Sequence, residues 1–115
     1  MSDRRKVALA AGFDVVAILV FVAVGRRSHH EGDALGGAFR VASPFLIGLA
    51  VGWFASRAWK APTSWSTGLV IWPVTVAAGL LLRRLVFGDG TALPFIIVAS
   101  IVTGLLLVGW RALYR

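Results

Sequence analysis

Apolar residues fill four long stretches, at about residues 7–25, 38–59, 67–82 and 92–113, and polar residues are confined to what lies between them. A hydrocarbon core about 30 Å thick takes about 20 residues of α-helix at 1.5 Å each. Each stretch is therefore expected to form a membrane-spanning helix. The connections shrink to residues 26–37, 60–66 and 83–91, none of them long enough for a separate domain. The expected fold is all-α: one integral membrane domain over residues 1–115, an up-down bundle of four transmembrane helices.

Local punctuation agrees with this division. Ser43-Pro44 reads as a cap followed by a first-turn proline, although the apolar pattern starts a little earlier. Ser64, after Pro62, is a cap for the third span. Asp89-Gly90-Thr91 reads as a turn, and Pro94 falls in the first turn of the fourth span. The first apolar run is too long for the apolar region of a signal peptide and lacks a clear small-residue cleavage site, so it reads as a retained span.

Composition narrows the class further. Of 115 residues, 58% are hydrophobic and 15% are charged, against about 25% charged in an ordinary soluble domain. The absence of cysteine removes disulfides, thiolate metal sites and thiol nucleophiles. The net charge of +7 would suggest nucleic acid in a soluble chain. Here the cations flank spans, where they meet anionic head groups, and no basic stripe interleaved with aromatics exists outside the membrane. The bilayer is the expected partner, and nucleic acid is not.

With four spans both termini share a side. That side receives seven basic residues (Arg4, Arg5, Lys6, Arg57, Lys60, Arg111, Arg115) and the other five (Arg26, Arg27, Arg40, Arg83, Arg84). The excess places both termini in the cytoplasm and the protein in the plasma membrane. Trp59, Trp65 and Trp110 lie near the terminus-bearing face, as an aromatic belt would, with Trp53 and Trp72 deeper in the same half.

Two features recur at one offset. Arg26-Arg27 and Arg83-Arg84 close the odd-numbered spans, Gly52-Trp53 and Gly109-Trp110 lie in the even-numbered ones, and both pairs are 57 residues apart. Two readings fit: chance recurrence of Gly, Arg and Trp, which are common in small membrane proteins, or a two-helix internal repeat about an axis along the membrane normal.

Asp14 is the sharpest chemical signal. An acid inside a span costs about 2.5–3.5 kcal/mol on insertion scales, so it normally faces the bundle interior or a water-filled cavity. Its helical neighbours Ala10, Ala11, Ala17 and Ile18 are mostly small, which makes this a close-packing face. Arg57 is its first candidate partner and Arg111 a second, with Trp72 or Thr75 as hydrogen-bond donors. Pro73 should break the third span by removing an N–H and displacing the Leu69 carbonyl. Asp14, Trp53, Arg57, Trp72, Pro73 and Thr75 thus form the expected intramembrane polar site, between spans one, two and three. A packed kink with a simple ion pair is the alternative.

Gly48-x-x-x-Gly52 lets a backbone approach closely, within one bundle or between copies. Arg26, Arg27 and His29, with Arg83 and Arg84, form a candidate cationic patch for a phosphate or carboxylate, or an ordinary lipid anchor. His29-His30 has poor chelate spacing, so no metal is expected, and no cofactor either. No catalytic motif occurs: there is no GxSxG, HExxH, P-loop or dinucleotide turn. No catalytic residue is assigned, and the chain is not expected to be an enzyme.

The set Asp14, Gly25-Arg26-Arg27-Ser28-His29, Pro44-Phe45, Gly52-Trp53, Trp59 with Pro62, Trp72-Pro73 with Thr75 and Gly79, Leu82-Arg83-Arg84 and Gly109-Trp110-Arg111 resembles DUF3054, a family of small actinobacterial and haloarchaeal membrane proteins of unknown function. The resemblance implies a four-span membrane protein and no activity. Three functions fit the residues: a transport or channel-like protein using Asp14, an accessory or assembly subunit, and a binder of lipid, quinone or haem. Self-association or another membrane protein is the expected partnership.

Overall fold

The computed structural model describes residues 3–26 and 34–114, with the side chains of residues 26 and 34–36 left out. It contains four long helices and one short 3-10 turn: α1 (Asp3–Arg26), α2 (Ala34–Ser56), a turn at Ala58–Lys60, α3 (Trp65–Leu85) and α4 (Leu93–Leu113). Each helix packs on its neighbour in the chain and α1 also packs on α4, so the four close into a ring, with the largest interface between α2 and α3. All four are long and apolar enough to cross a membrane. The extents of 43 × 23 × 21 Å set the long axis close to a bilayer with its head groups, about 40–45 Å.

The second apolar run does not stay helical to residue 59. Arg57 takes a left-handed conformation (φ 53°, ψ 49°), which ends α2 at Ser56 and turns the chain into the 3-10 segment that carries Trp59. Left-handed backbone costs a non-glycine residue roughly 1–2 kcal/mol, so packing must hold it. Ala58 beyond it is fully buried. Thr67 donates to the Ala61 carbonyl at 2.7 Å and ties the start of α3 to the same segment.

Ser64 does stand at the N-cap of α3, but its side chain makes no capping bond; it pairs with Ser66 at 2.8 Å. Ser43-Pro44 is no helix start. Pro44 lies inside α2, and the Ser43 hydroxyl donates to the Phe39 carbonyl one turn back at 2.6 Å. Pro94 is in the first turn of α4 as expected. The reversal between α3 and α4 comes slightly before the expected turn, with Gly88 at φ 69° supplying the left-handed step.

Small residues close the α2–α3 interface. A Cβ on Gly48 would lie 2.7 Å from the Thr75 carbonyl oxygen, and one on Gly52 would lie 3.0 Å from Thr75 Oγ1. The GxxxG pair is thus used inside the bundle, where close backbone approach replaces the missing hydrophobic drive. Toward the opposite end, Phe21, Phe45 and Phe95 form an aromatic cluster with centroids 5.1–6.1 Å apart. Large apolar side chains such as Phe54 and Leu105 point outward, 74% and 69% exposed, as lipid-facing residues do.

Candidate functional site

Asp14 sits midway along α1 on a face of small side chains. Ala10 and Ala17 are buried beside it, and this face lets α1 lie close to its neighbours. The carboxylate is fully buried and is met from two other helices. Arg111, near the end of α4, reaches inward and binds it with both ends of its fork, Nη1 to Oδ1 at 2.8 Å and Nη2 to Oδ2 at 2.7 Å. The Trp53 indole of α2 donates to Oδ2 and the Trp110 indole of α4 to Oδ1, each at 2.8 Å. A carboxylate offers about four acceptor sites, and these four bonds fill them.

Arg111 is held by four of its five N–H donors. Its Nε donates to the Pro62 carbonyl at 2.9 Å and Nη1 donates to the Leu107 carbonyl at 2.9 Å. Its guanidinium also lies 4.5 Å from the Trp110 ring centroid. Gly68 makes room for the stem, since a Cβ there would lie 3.1 Å from Arg111 Cδ. Neither side chain of the pair has any solvent exposure. One cluster therefore joins α1, α2, α4 and the α2–α3 connection. Charge-assisted, bidentate bonds of this kind are the strong ones, and in a low-dielectric interior they are also the ones least dispensable.

The expected site changes in composition. Trp53 belongs to it. Arg57 does not: it is exposed at the break after α2. Trp72 donates instead to the Ser100 carbonyl at 2.8 Å, linking α3 to α4. Pro73 is exposed on the outer face of α3, which runs as one helix through it. Thr75 is buried against Gly48 and Gly52, and its Oγ1 is the one buried side-chain polar atom among the described residues with no hydrogen-bond partner. The centre thus lies between α1, α2 and α4, and α3 contributes no side chain to it. Trp110 was missed because its position near a helix end reads as an interfacial belt. The signal that could have found it is the recurring Gly-Trp pair: the two tryptophans 57 residues apart donate to the two oxygens of one carboxylate.

Of the expected cationic patch only Arg83 and Arg84 have described side chains, and both are engaged locally, beside Arg40. Arg40 is ion-paired with Asp89 at 2.6 Å and donates to the Phe87 carbonyl at 2.7 Å. Arg83 donates to the Gly90 carbonyl at 2.7 Å and stacks 4.3 Å over the Phe95 ring, while Arg84 reaches Thr91 Oγ1 at 3.4 Å. These arginines fasten the α3–α4 connection. Arg27, His29 and the Arg26 side chain lie outside the described residues.

The chain matches, over residues 11–114, the family model described as Protein of unknown function (DUF3054). It belongs to that family. No curated protein and no solved structure matches it. For this DUF3054 member the four-span architecture implied by the resemblance holds, and the quoted residues Asp14, Trp53, Trp110 and Arg111 are the ones that converge in the bundle.

Proposed function

We propose that this multi-pass membrane protein is a non-catalytic accessory or binding component of the plasma membrane, with both termini cytoplasmic. In this reading the charged centre is a clasp that holds the helices together. The observation that supports it is the state of Asp14: four hydrogen bonds accepted and no exposure. A carboxylate that handles protons or ions must exchange its partners for water or cargo. Here that exchange would strand Arg111 in a medium of low dielectric, which breaks a buried pair at a cost of about 3–5 kcal/mol. Function then falls to the outer surface, where apolar side chains meet lipid, another copy or a second membrane protein.

The reading is tested in proteoliposomes. Wild-type protein should show no proton or ion flux above empty vesicles, and Asp14→Asn, although less stable, should show none either. A wild-type flux that Asp14→Asn abolishes while helicity is retained would overturn it. Transport is the second reading, favoured by the unpartnered Thr75 hydroxyl against Gly52, next in sequence to Trp53. It requires Thr75→Val to reduce a measured flux. The clasp reading expects that variant to be as stable as wild type, within about 1 kcal/mol, because no hydrogen bond is lost.

A further inference from the structure

Two cavities on the terminus-bearing half of the bundle share one wall. The first is an apolar groove of about 510 Å³ between α1 and α2, lined by Ala11, Val15, Leu46, Ala50, Phe54 and Trp59 among others. From Leu46 to Phe54 the groove follows eight residues of helix, about 12 Å along the helix axis at 1.5 Å per residue. The second is a polar recess of about 330 Å³ at the membrane surface, lined by Asp3, Lys6, Trp59, Lys60 and Thr63 with Ala61 and Pro62. Trp59 lines both, so the groove and the recess adjoin on either side of its ring, at the depth where tryptophan marks the interface. Phe54 packs edge-on against the same ring at 5.9 Å.

The chemistry of the two spaces matches the two parts of one molecule. The groove offers almost wholly apolar walls, suited to an acyl chain. The recess offers two ammonium groups from separate elements, Lys6 on α1 and Lys60 after α2. Neither is hydrogen-bonded or ion-paired to another side chain among the described residues. Asp3, one turn before Lys6 on the same face, leaves the recess with a net single positive charge. That net charge matches one phosphodiester and leaves no surplus positive charge.

We propose that this joined site holds one anionic glycerophospholipid, its phosphate between Lys6 and Lys60 and one acyl chain along α1 and α2 beneath Trp59. The site lies beside Trp53, which separates the groove from the Asp14 carboxylate. The proposal deepens the reading of the protein as a binding component and rests on it for the purpose of the groove. A flux measured in wild-type protein would sink that reading and leave lipid occupancy to be decided separately.

The test is native mass spectrometry of the purified, delipidated full chain titrated with phosphatidylglycerol, phosphatidylethanolamine and phosphatidylcholine of identical chains. Wild type should retain the first at concentrations on the order of tenfold lower than the other two, since each surface lysine attracts anionic lipid. Lys6→Gln with Lys60→Gln should erase that preference while leaving helicity and melting unchanged. Ala50→Trp, which fills the groove without touching the recess, should weaken all three lipids together. Equal retention of the three lipids by wild type would overturn the proposal. So would a preference that survives loss of both lysines, or lipid retention unchanged in a folded Ala50→Trp protein.

Discussion

At the end of the bundle that carries both termini, Arg111 runs inward from α4 and ends in a carboxylate with no exposure. At the other end, Arg40 meets Asp89 across the α3–α4 connection with 58% and 24% of the side chains exposed, and Arg83 and Arg84 bind loop oxygens nearby. Both ends hold an arginine–carboxylate contact of similar length, 2.7 Å and 2.6 Å. Distance therefore does not separate them; surroundings do. The exposed pair competes with water and salt, and such pairs are worth about 0–1 kcal/mol. In the buried pair neither partner has water to return to, so each makes the other indispensable.

That contrast is broken most severely by removing one partner of the buried pair. Arg111→Gln should destabilise the bundle by about 3–5 kcal/mol, read as unfolding in mixed detergent micelles. A loss below about 1 kcal/mol would place the buried pair in the class of the exposed one. Next come the indoles. Trp53→Phe and Trp110→Phe each remove one donor to a charged acceptor, and each should cost about 1.5–3 kcal/mol. Similar losses from the two would match the symmetric way they bind the two carboxylate oxygens. The smallest effect is expected at the opposite end: Arg40→Gln should shift stability by less than about 1 kcal/mol, and the shift should shrink further in high salt. A loss there equal to that of Arg111→Gln would erase the distinction.

The difference between the ends also explains what the sequence disclosed. The four spans were legible because hydrophobic length alone decides them. Burial of Asp14 was legible from the cost of an acid in hydrocarbon and from the alanines around it. Its partner was not. Choosing Arg57 assumes that α2 continues straight to residue 59, and the left-handed turn at Arg57 itself ends the helix three residues earlier. Arg111 and Trp110 sit near a helix end, where arginine and tryptophan normally reach toward head groups; here both turn inward because Asp14 offers an acceptor.

Pro73 fails for a different reason. Matching depth with Asp14 says nothing about direction around the helix. The buried stripe of α3 runs through Gly68, Ile71, Thr75 and Gly79. Pro73 lies two residues from Thr75, about 200° around the helix at 3.6 residues per turn. Gly68, Thr75 and Gly79, with Ile71 between, recur at steps of three and four and carried that phase, and the proline did not. Of the arginine-pair patch, the described half, Arg83 and Arg84, binds loop oxygens, which no residue pattern advertises.

The central claim is that Asp14 and Arg111 act as one structural unit, and a double-mutant cycle tests it most directly. Unfolding free energies would be measured in mixed micelles for wild type, Asp14→Asn, Arg111→Gln and the double variant. The two single losses should each reach about 3–5 kcal/mol and the double should cost no more than the larger of them. Single losses that simply add in the double variant would contradict it.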